Sequence, residues 1–159
     1  MSNGTDDTAR VMDALRRSVQ ALRSANADAT QRFGVGAAQL FVLRAIAESP
    51  GLSLAQLAER THTSQSSVSE VVGRLVAQGH VEKTPASDDA RRRVLQLTER
   101  GAATANHTEV PVQQRLIAGL QTLSAEERRR LAELFEAWLR AAGLESTRAT
   151  MFFTGQSEG

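Results

Sequence analysis

The sequence contains no cysteine among its 159 residues. This absence excludes disulfide bonds, zinc sites built on thiolates and redox sensing by cysteine, and it suits a reducing compartment. The sequence also lacks an apolar run long enough to cross a membrane, and its first residues lack the basic start and apolar stretch of a signal peptide. We therefore expect a cytoplasmic protein that does not act at a membrane.

Signatures of catalysis are also missing. The chain has no HExxH motif, no Gly-rich phosphate loop and no GxSxG turn, and its three histidines are widely separated at His62, His80 and His107. We predict that the protein is not an enzyme and that it has neither a cofactor nor a bound metal. A regulator that senses a metal through histidine and carboxylate ligands remains an alternative, because such a site needs no cysteine.

Total charge carries little information. The formal net charge is +1, and 41% hydrophobic and 23% charged residues are ordinary values for a globular chain of one domain. Any surface that binds nucleic acid must therefore arise from the local arrangement of basic residues.

The most informative stretch of the chain is residues 52–101. A short helix, a break at 61–63 and a second helix from Ser64 to Gly79 are followed by two strand-like runs, 80–84 and 93–97. This order of elements indicates a winged helix-turn-helix. The second helix has an apolar stripe formed by Val68, Val71, Val72, Leu75 and Val76.

Short polar side chains dominate the N-terminal end of that second helix, where base edges would lie if the helix entered a major groove. The loop between the two strands carries three consecutive arginines, which can enter a minor groove or contact phosphates. Either feature alone is common on ordinary surfaces, and we give them weight because they occur together. The predicted DNA-binding residues are Ser64, Gln65, Ser66, Ser67, Ser69, Arg74, Lys83, Arg91, Arg92 and Arg93.

Helical patterns flank this unit on both sides. An N-terminal helix from about Asp6 to Phe33 has a narrow apolar stripe, which can pack inside its own subunit or against a partner helix. We expect it to contribute to a dimer interface. A helix over 37–48 buries a broad face, and Pro111 should kink or break a long helix that starts after Thr98 and runs to about Leu123. The stripe of the first helix is Met12, Leu15, Val19 and Leu22, and the broad face of the next is Leu40, Phe41, Leu43, Ile46 and Ala47.

The predicted fold class is mainly α with a small β wing, as a winged helix-turn-helix flanked by dimerisation helices. We divide the single domain, 1–159, into dimerisation helices at 6–33 and 102–143, a DNA-binding unit at 35–101 and a C-terminal tail at 144–159. Ser53 with Gln56 and Ser124 with Glu127 have the spacing of capping boxes, which place the starts of two helices.

These residues resemble the multiple-antibiotic-resistance-regulator (MarR) family of bacterial transcription factors. The similarity in element order covers nearly the whole chain, and the specific motifs cover about 34–101. The motifs are Leu57-Ala58-Glu59-Arg60, the helix 64–79, and Asp89-x-Arg91 followed by Val94-Leu95-x-Leu97-Thr98-x-x-Gly101. Two positions depart from the family pattern: Glu70 stands where a basic or neutral polar residue is frequent, and Gly73 lies within the helix.

The resemblance implies a homodimer with interlocking terminal helices, which binds double-stranded DNA. It implies that Asp89 braces the wing, that Arg91 enters the minor groove, and that a small aromatic or phenolic effector binds between the dimerisation helices and the winged unit. For that effector pocket we predict Val19, Phe33, Phe41 and Arg44. The function expected is a ligand-responsive repressor on an inverted-repeat operator, and the alternative is a winged helix used for protein–protein contact.

Overall fold

The computed structural model of the protein describes residues 3–106 and 109–152. In this part of the chain, none of the helices combines the length and apolar character needed to span a membrane. The elements are α1 (Asn3–Phe33), α2 (Ala37–Glu48), α3 (Leu54–Arg60), α4 (Gln65–Ala77), β1 (Val81–Pro85), β2 (Arg93–Leu97), α5 (Glu99–Asn106), α6 (Val112–Gln121) and α7 (Ala125–Ala141). The predicted fold class, mainly α with a small β wing, is confirmed.

The core lies in the winged unit, around α2. This helix is buried on most of its surface, and α3, α4 and β2 pack around it. The backbone N–H of Leu95 donates to the carbonyl of Leu52, so β2 is also tied to the segment that precedes α3. The most deeply buried side chains of this core include Val42, Leu43, Ile46, Leu57, Val68, Val71, Val72, Leu75 and Leu95.

Two residues predicted for the core are exposed. Val76 is 39% exposed because it follows Leu75 by one position, which rotates it about 100° away from the buried stripe of α4. Ala47 is exposed because it lies near the C-terminal end of α2, on the side that faces solvent. The prediction that these two residues are buried was wrong.

Local capping signals place the helix ends. Ser53 and Ser124 each accept a hydrogen bond from the backbone N–H three residues later, at 3.2 Å, so both predicted capping boxes are confirmed. The carboxylate of Glu127 in turn accepts a hydrogen bond from the backbone N–H of Ser124 at 2.8 Å. The hydrogen bonds with Ser124 lower the pKa of Glu127. Gly34 ends α1 in the left-handed region at φ +68°, as expected of a glycine after a helix.

The long helix expected after Thr98 is broken in two. α5 ends at Asn106 and α6 begins at Val112, with Pro111 as its N-cap in an extended conformation (ψ 142°). Proline has no N–H to donate and its ring crowds the preceding turn, so it kinks or breaks a helix but is tolerated at a helix start. His107, whose carbonyl we expected Pro111 to crowd, lies outside the described residues. At the other end of the chain, α1 begins at Asn3 rather than near Asp6.

Much of the apolar surface of the flanking helices is uncovered. α1 buries Leu22 and Ala29 but leaves Val11 and Val19 exposed, and α7 buries none of its residues, with Leu134 61% exposed. The tail after α7 turns back onto α6, where Gln113 donates to the carbonyl of Phe152 at 3.2 Å. Met151 is buried beside it, whereas Phe153, the other aromatic of the tail, lies outside the described residues.

Candidate nucleic-acid interface

A network of serine hydroxyls forms the start of α4. Ser64 is its N-cap, and its Oγ accepts from the backbone N–H of Ser67 at 3.2 Å and donates to the Oγ of Ser67 at 2.8 Å. The Oγ of Ser66 lies 3.1 Å from that of Ser64. Gln65, Ser66 and Ser69 are exposed, so their side chains are available to a ligand that covers this end of the helix.

Ser67 does not belong to this exposed set. Its side chain is fully buried, and its hydroxyl is used by Ser64. The reason is helical geometry: Ser67 precedes Val68 and lies one turn before Val71, on the side of α4 that faces the core. Ser67 was predicted to be exposed, and that prediction was wrong. Its contribution is to hold the helix start.

Further along α4, the side chain of Arg74 is paired with a carboxylate. Its Nη2 lies 3.2 Å from Oε1 of Glu70, one helical turn earlier. This contact explains how an acidic residue is accommodated on the polar face of α4: part of its charge is balanced within the helix. Gly73 lies between them, and α4 runs continuously through it.

The helix-turn-helix connection is tight. The backbone N–H of Thr63 donates to the carbonyl of Ala58 at 3.1 Å, and Thr61 Oγ1 donates to the carbonyl of Leu57 at 2.8 Å. His62 adopts a positive φ of 51°, so the chain reverses over few residues. Thr61 is buried, whereas His62 is exposed.

The wing tip is folded on its own backbone. The N–H of Ala86 donates to the carbonyl of Arg92 at 2.8 Å and closes the loop between β1 and β2. Oδ1 of Asp89 accepts from the backbone N–H of Arg91 at 2.9 Å, an Asx-type turn that fixes the chain at the arginines. This contact gives Asp89 a position from which it can brace the wing.

The three wing arginines differ in what their side chains contact. Arg92 Nη2 lies 2.7 Å from Oδ1 of Asp88, and the hydrogen bond from this guanidinium lowers the pKa of Asp88. In the part of the chain that the structure describes, the guanidinium groups of Arg91 and Arg93 make no hydrogen bond or ion pair. Sequence reasoning missed Asp88, although an acidic residue four positions before an arginine is a recognisable pairing signal. Lys83 is exposed on β1.

The four residues predicted for an effector pocket do not line one cavity. Phe33 borders a cleft of about 140 Å³ between α1, α2 and the start of α6, together with Arg32 and Arg115. Phe41 borders a separate cleft of about 250 Å³, which α2 forms with α6, with Arg60 at the end of α3 and with His62 after it. Of the four residues, Phe33 lines the cleft between α1, α2 and α6, and an effector pocket at this place stays a prediction.

Val19 and Arg44 line neither cleft. Val19 lies on the exposed stripe of α1, and Arg44 Nε contacts Oε1 of Glu48 at 3.2 Å. Burial alone would raise the pKa of Glu48, but hydrogen bonds from Gln114, Arg60 and Arg44 outweigh it and lower that pKa. The described residues contain no group of three His, Asp or Glu side chains that could hold a metal ion.

Known proteins share this fold. The sequence profile of the MarR family matches residues 33–92. The reduced form of MarR from E. coli is 25% identical, with 82% of this chain and 95% of that chain covered and a TM-score of 0.55. The PcaV transcriptional regulator from Streptomyces coelicolor is 27% identical, with 82% and 96% covered and a TM-score of 0.53. A mutant MarR from E. coli, complexed with operator DNA, is 24% identical, with 87% and 99% covered and a TM-score of 0.57. No curated protein sequence matches the chain.

The fold and this surface define a transcriptional regulator of the winged helix-turn-helix class. Its winged unit matches the MarR family over residues 33–92, and its fold is similar to that of MarR and of the PcaV regulator.

Proposed function

We propose that this protein binds DNA as a homodimer and acts as a ligand-responsive repressor in the bacterial cytoplasm. One observation carries the proposal: the exposed polar start of α4 is followed in the same unit by a wing whose tip presents Arg91 and Arg93 to solvent. The helix can read base edges in a major groove while the wing contacts the backbone and minor groove beside it. The MarR mutant complexed with operator DNA has the same fold.

Fragment selection tests this proposal directly. Purified protein is mixed with sheared genomic DNA, retained fragments are sequenced, and affinity is measured for a retained site and for a scrambled duplex of equal length. We expect one enriched sequence, an inverted repeat with half-site centres roughly 10 bp apart. A winged helix that serves only protein–protein contact would retain no sequence above background.

Dimerisation is proposed through α1, α6 and α7, within 6–33 and 102–143. The support is the exposed apolar surface, since Val11, Leu120 and Leu134 are each at least 45% exposed and a single chain leaves them in water. The winged unit, 35–101, holds most of the buried core and would be carried in two copies by this dimer.

Leu134→Glu should therefore shift the protein from dimer to monomer, because it places a charge in an apolar interface. Sedimentation should give about twice the chain mass of 17.2 kDa for wild type and the single mass for the variant. Glu136→Gln, an exposed position two residues along the same helix, is the control and should leave the dimer intact. A monomeric wild type that still binds the inverted repeat would contradict the proposed dimer.

The effector is proposed to be a small aromatic or phenolic anion in the 140 Å³ cleft. Two arginines, Arg32 and Arg115, and two carboxylates, Asp28 and Glu109, line this cleft. Arg32 pairs with Asp28 at 3.3 Å, so Arg115 is the guanidinium that we propose for the anion, and Phe33 supplies an aromatic wall. The cleft lies between α1 and α2, where a ligand can bias the angle between the dimerisation helices and the winged unit.

A screen of aromatic carboxylates and phenols tests this site. At least one compound should raise the melting temperature of free protein and weaken operator binding. Linkage then requires that operator DNA weaken binding of the compound by the same factor. Arg115→Ala should reduce both effects, with Arg140→Ala, on α7, as the control. If the compounds stabilise Arg115→Ala to the same extent as wild type, the effector site lies elsewhere.

A further inference from the structure

A pair of glutamine side chains joins the start of α2 to the end of the recognition helix α4. Nε2 of Gln39 donates to Oε1 of Gln78 at 2.7 Å across 39 residues of sequence. Gln39 is only 5% exposed, whereas Gln78, the C-cap of α4, is exposed. Gln39 is thus a buried amide that reaches outward to hold one particular helix end.

The direction of this contact is fixed by the second bond that Gln39 makes. Its Oε1 accepts from the backbone N–H of Gly36 at 2.9 Å. Gly36, the N-cap of α2, has no side chain to contribute to the cap, so the bond from its backbone N–H to Gln39 is the half of the capping box that forms. With its oxygen occupied, Gln39 must turn its amino group toward Gln78, and Gln78 must present oxygen in return.

The Gln39–Gln78 pair is part of a longer connection. The next backbone N–H of α2, at Ala37, donates to Oδ1 of Asn26 on α1 at 3.0 Å. On the other side, Nη1 of Arg100 donates to the backbone carbonyl of Gln78 at 3.2 Å. The end of α4 is therefore held by hydrogen bonds that lead to α1, α2 and α5.

We propose that Gln39 is a positioning residue for DNA recognition, which acts through Gln78 on the orientation of α4. The inference rests on the proposed function. α4 has 13 residues and is about 20 Å long, so a tilt of about 5° at its C-terminal end displaces its N-terminal end by nearly 2 Å. Gln65 and Ser66 lie at that far end, and a hydrogen bond to a base edge does not tolerate such a displacement.

The test compares operator and scrambled duplexes across a salt series, with melting temperatures measured on the same samples. Gln39→Met and Gln78→Ala should each lower operator affinity by up to about tenfold per subunit, the largest factor expected of one hydrogen bond, and should change the affinity for scrambled DNA by less than about twofold. The salt slope should not change, because no phosphate contact is removed. Gln39→Glu should behave like wild type, since a carboxylate still accepts from Gly36 and from a rotated Gln78 amide.

Gln56→Met is the matched control. Gln56 occupies the same capping position in α3, with Oε1 accepting from the backbone N–H of Ser53 at 2.9 Å, but it is exposed and lies outside the Gln39–Gln78 pair. The inference is overturned if Gln56→Met and Gln39→Met both lower the melting temperature and both keep the operator preference. Gln39 would then be an ordinary helix cap.

Two further outcomes separate this inference from the proposed function. If wild type prefers its selected operator and Gln78→Ala keeps the full preference, only the positioning role fails. If wild type prefers no duplex over the scrambled one, the proposed function fails and the positioning role fails with it.

Discussion

Gly101→Ala should destabilise the protein by about 3 kcal/mol, the upper end of what overpacking costs. A Cβ at this position would lie 1.9 Å from the carbonyl oxygen of His80 and 2.9 Å from its carbon. Both are backbone atoms, so no side-chain rotation relieves the clash. The carbonyl itself is in use, because it accepts from the backbone N–H of Thr98 at 3.1 Å. Chemical denaturation at fixed protein concentration measures the loss.

The close approach at Gly101 joins the wing to α5. Thr98 caps the first turn of α5, where its Oγ1 accepts from the N–H of Gly101 at 3.1 Å and donates to the carbonyl of Gly79 at 2.7 Å. His80 is buried at the same point. Its burial, and to a smaller extent the positive charge of Arg100, lower the pKa of His80. An alanine here must push α5 away from the start of β1 and break these bonds together.

Gly73→Ala is the control for this prediction. Gly73 lies within α4, and a Cβ there would meet nothing within 4 Å. The same substitution should therefore stabilise the protein by about 0.5–1 kcal/mol, the helix preference of alanine over glycine. Equal effects at the two positions, or a Gly101→Ala variant as stable as wild type, would contradict the clash.

The order of elements could be predicted because its signals are local. Ser53 and Ser124 mark helix starts by capping, Gly34 marks an end because glycine tolerates a positive φ, and Pro111 kinks or breaks a helix because it lacks an N–H. The apolar stripe of α4 likewise follows from a period of 3.6 residues. These features need no knowledge of the tertiary structure.

The errors fall where tertiary contacts decide. Ser67 looks like its serine neighbours in sequence, and only the docking of α4 on the core shows that it is buried. Phe33 and Phe41 likewise border two different clefts, which the sequence does not distinguish. The Gln39–Gln78 bond spans 39 residues, and nothing in the sequence pairs these two amides.

Arg91→Ala should weaken binding to operator and scrambled duplexes alike, by roughly 10- to 100-fold for a dimer that loses two arginines. The Asp89 carboxylate fixes the backbone at Arg91, and the guanidinium is exposed and available for DNA. If each subunit contacts one phosphate through Arg91, the slope of log affinity against log salt should flatten by about two. Arg92→Ala should lower affinity less than Arg91→Ala, because Arg92 must break its ion pair with Asp88, 2.7 Å away, before it can contact DNA. Binding across a salt series measures both quantities.

Gln65→Ala should show the opposite selectivity. Glutamine at the start of a recognition helix can bond bidentately to adenine, a contact worth about 1–3 kcal/mol of discrimination, so operator affinity should fall while scrambled binding and the salt slope stay nearly constant. Arg129→Ala is the control for loss of charge. Arg129 is an exposed arginine in α7 and pairs with Glu133 at 3.0 Å. This pair has the same four-residue spacing as Asp88 and Arg92. Arg129→Ala should change the affinity for neither duplex. Equal losses on both duplexes with equal slopes for Gln65→Ala and Arg91→Ala would show that helix and wing do not divide base reading from backbone contact.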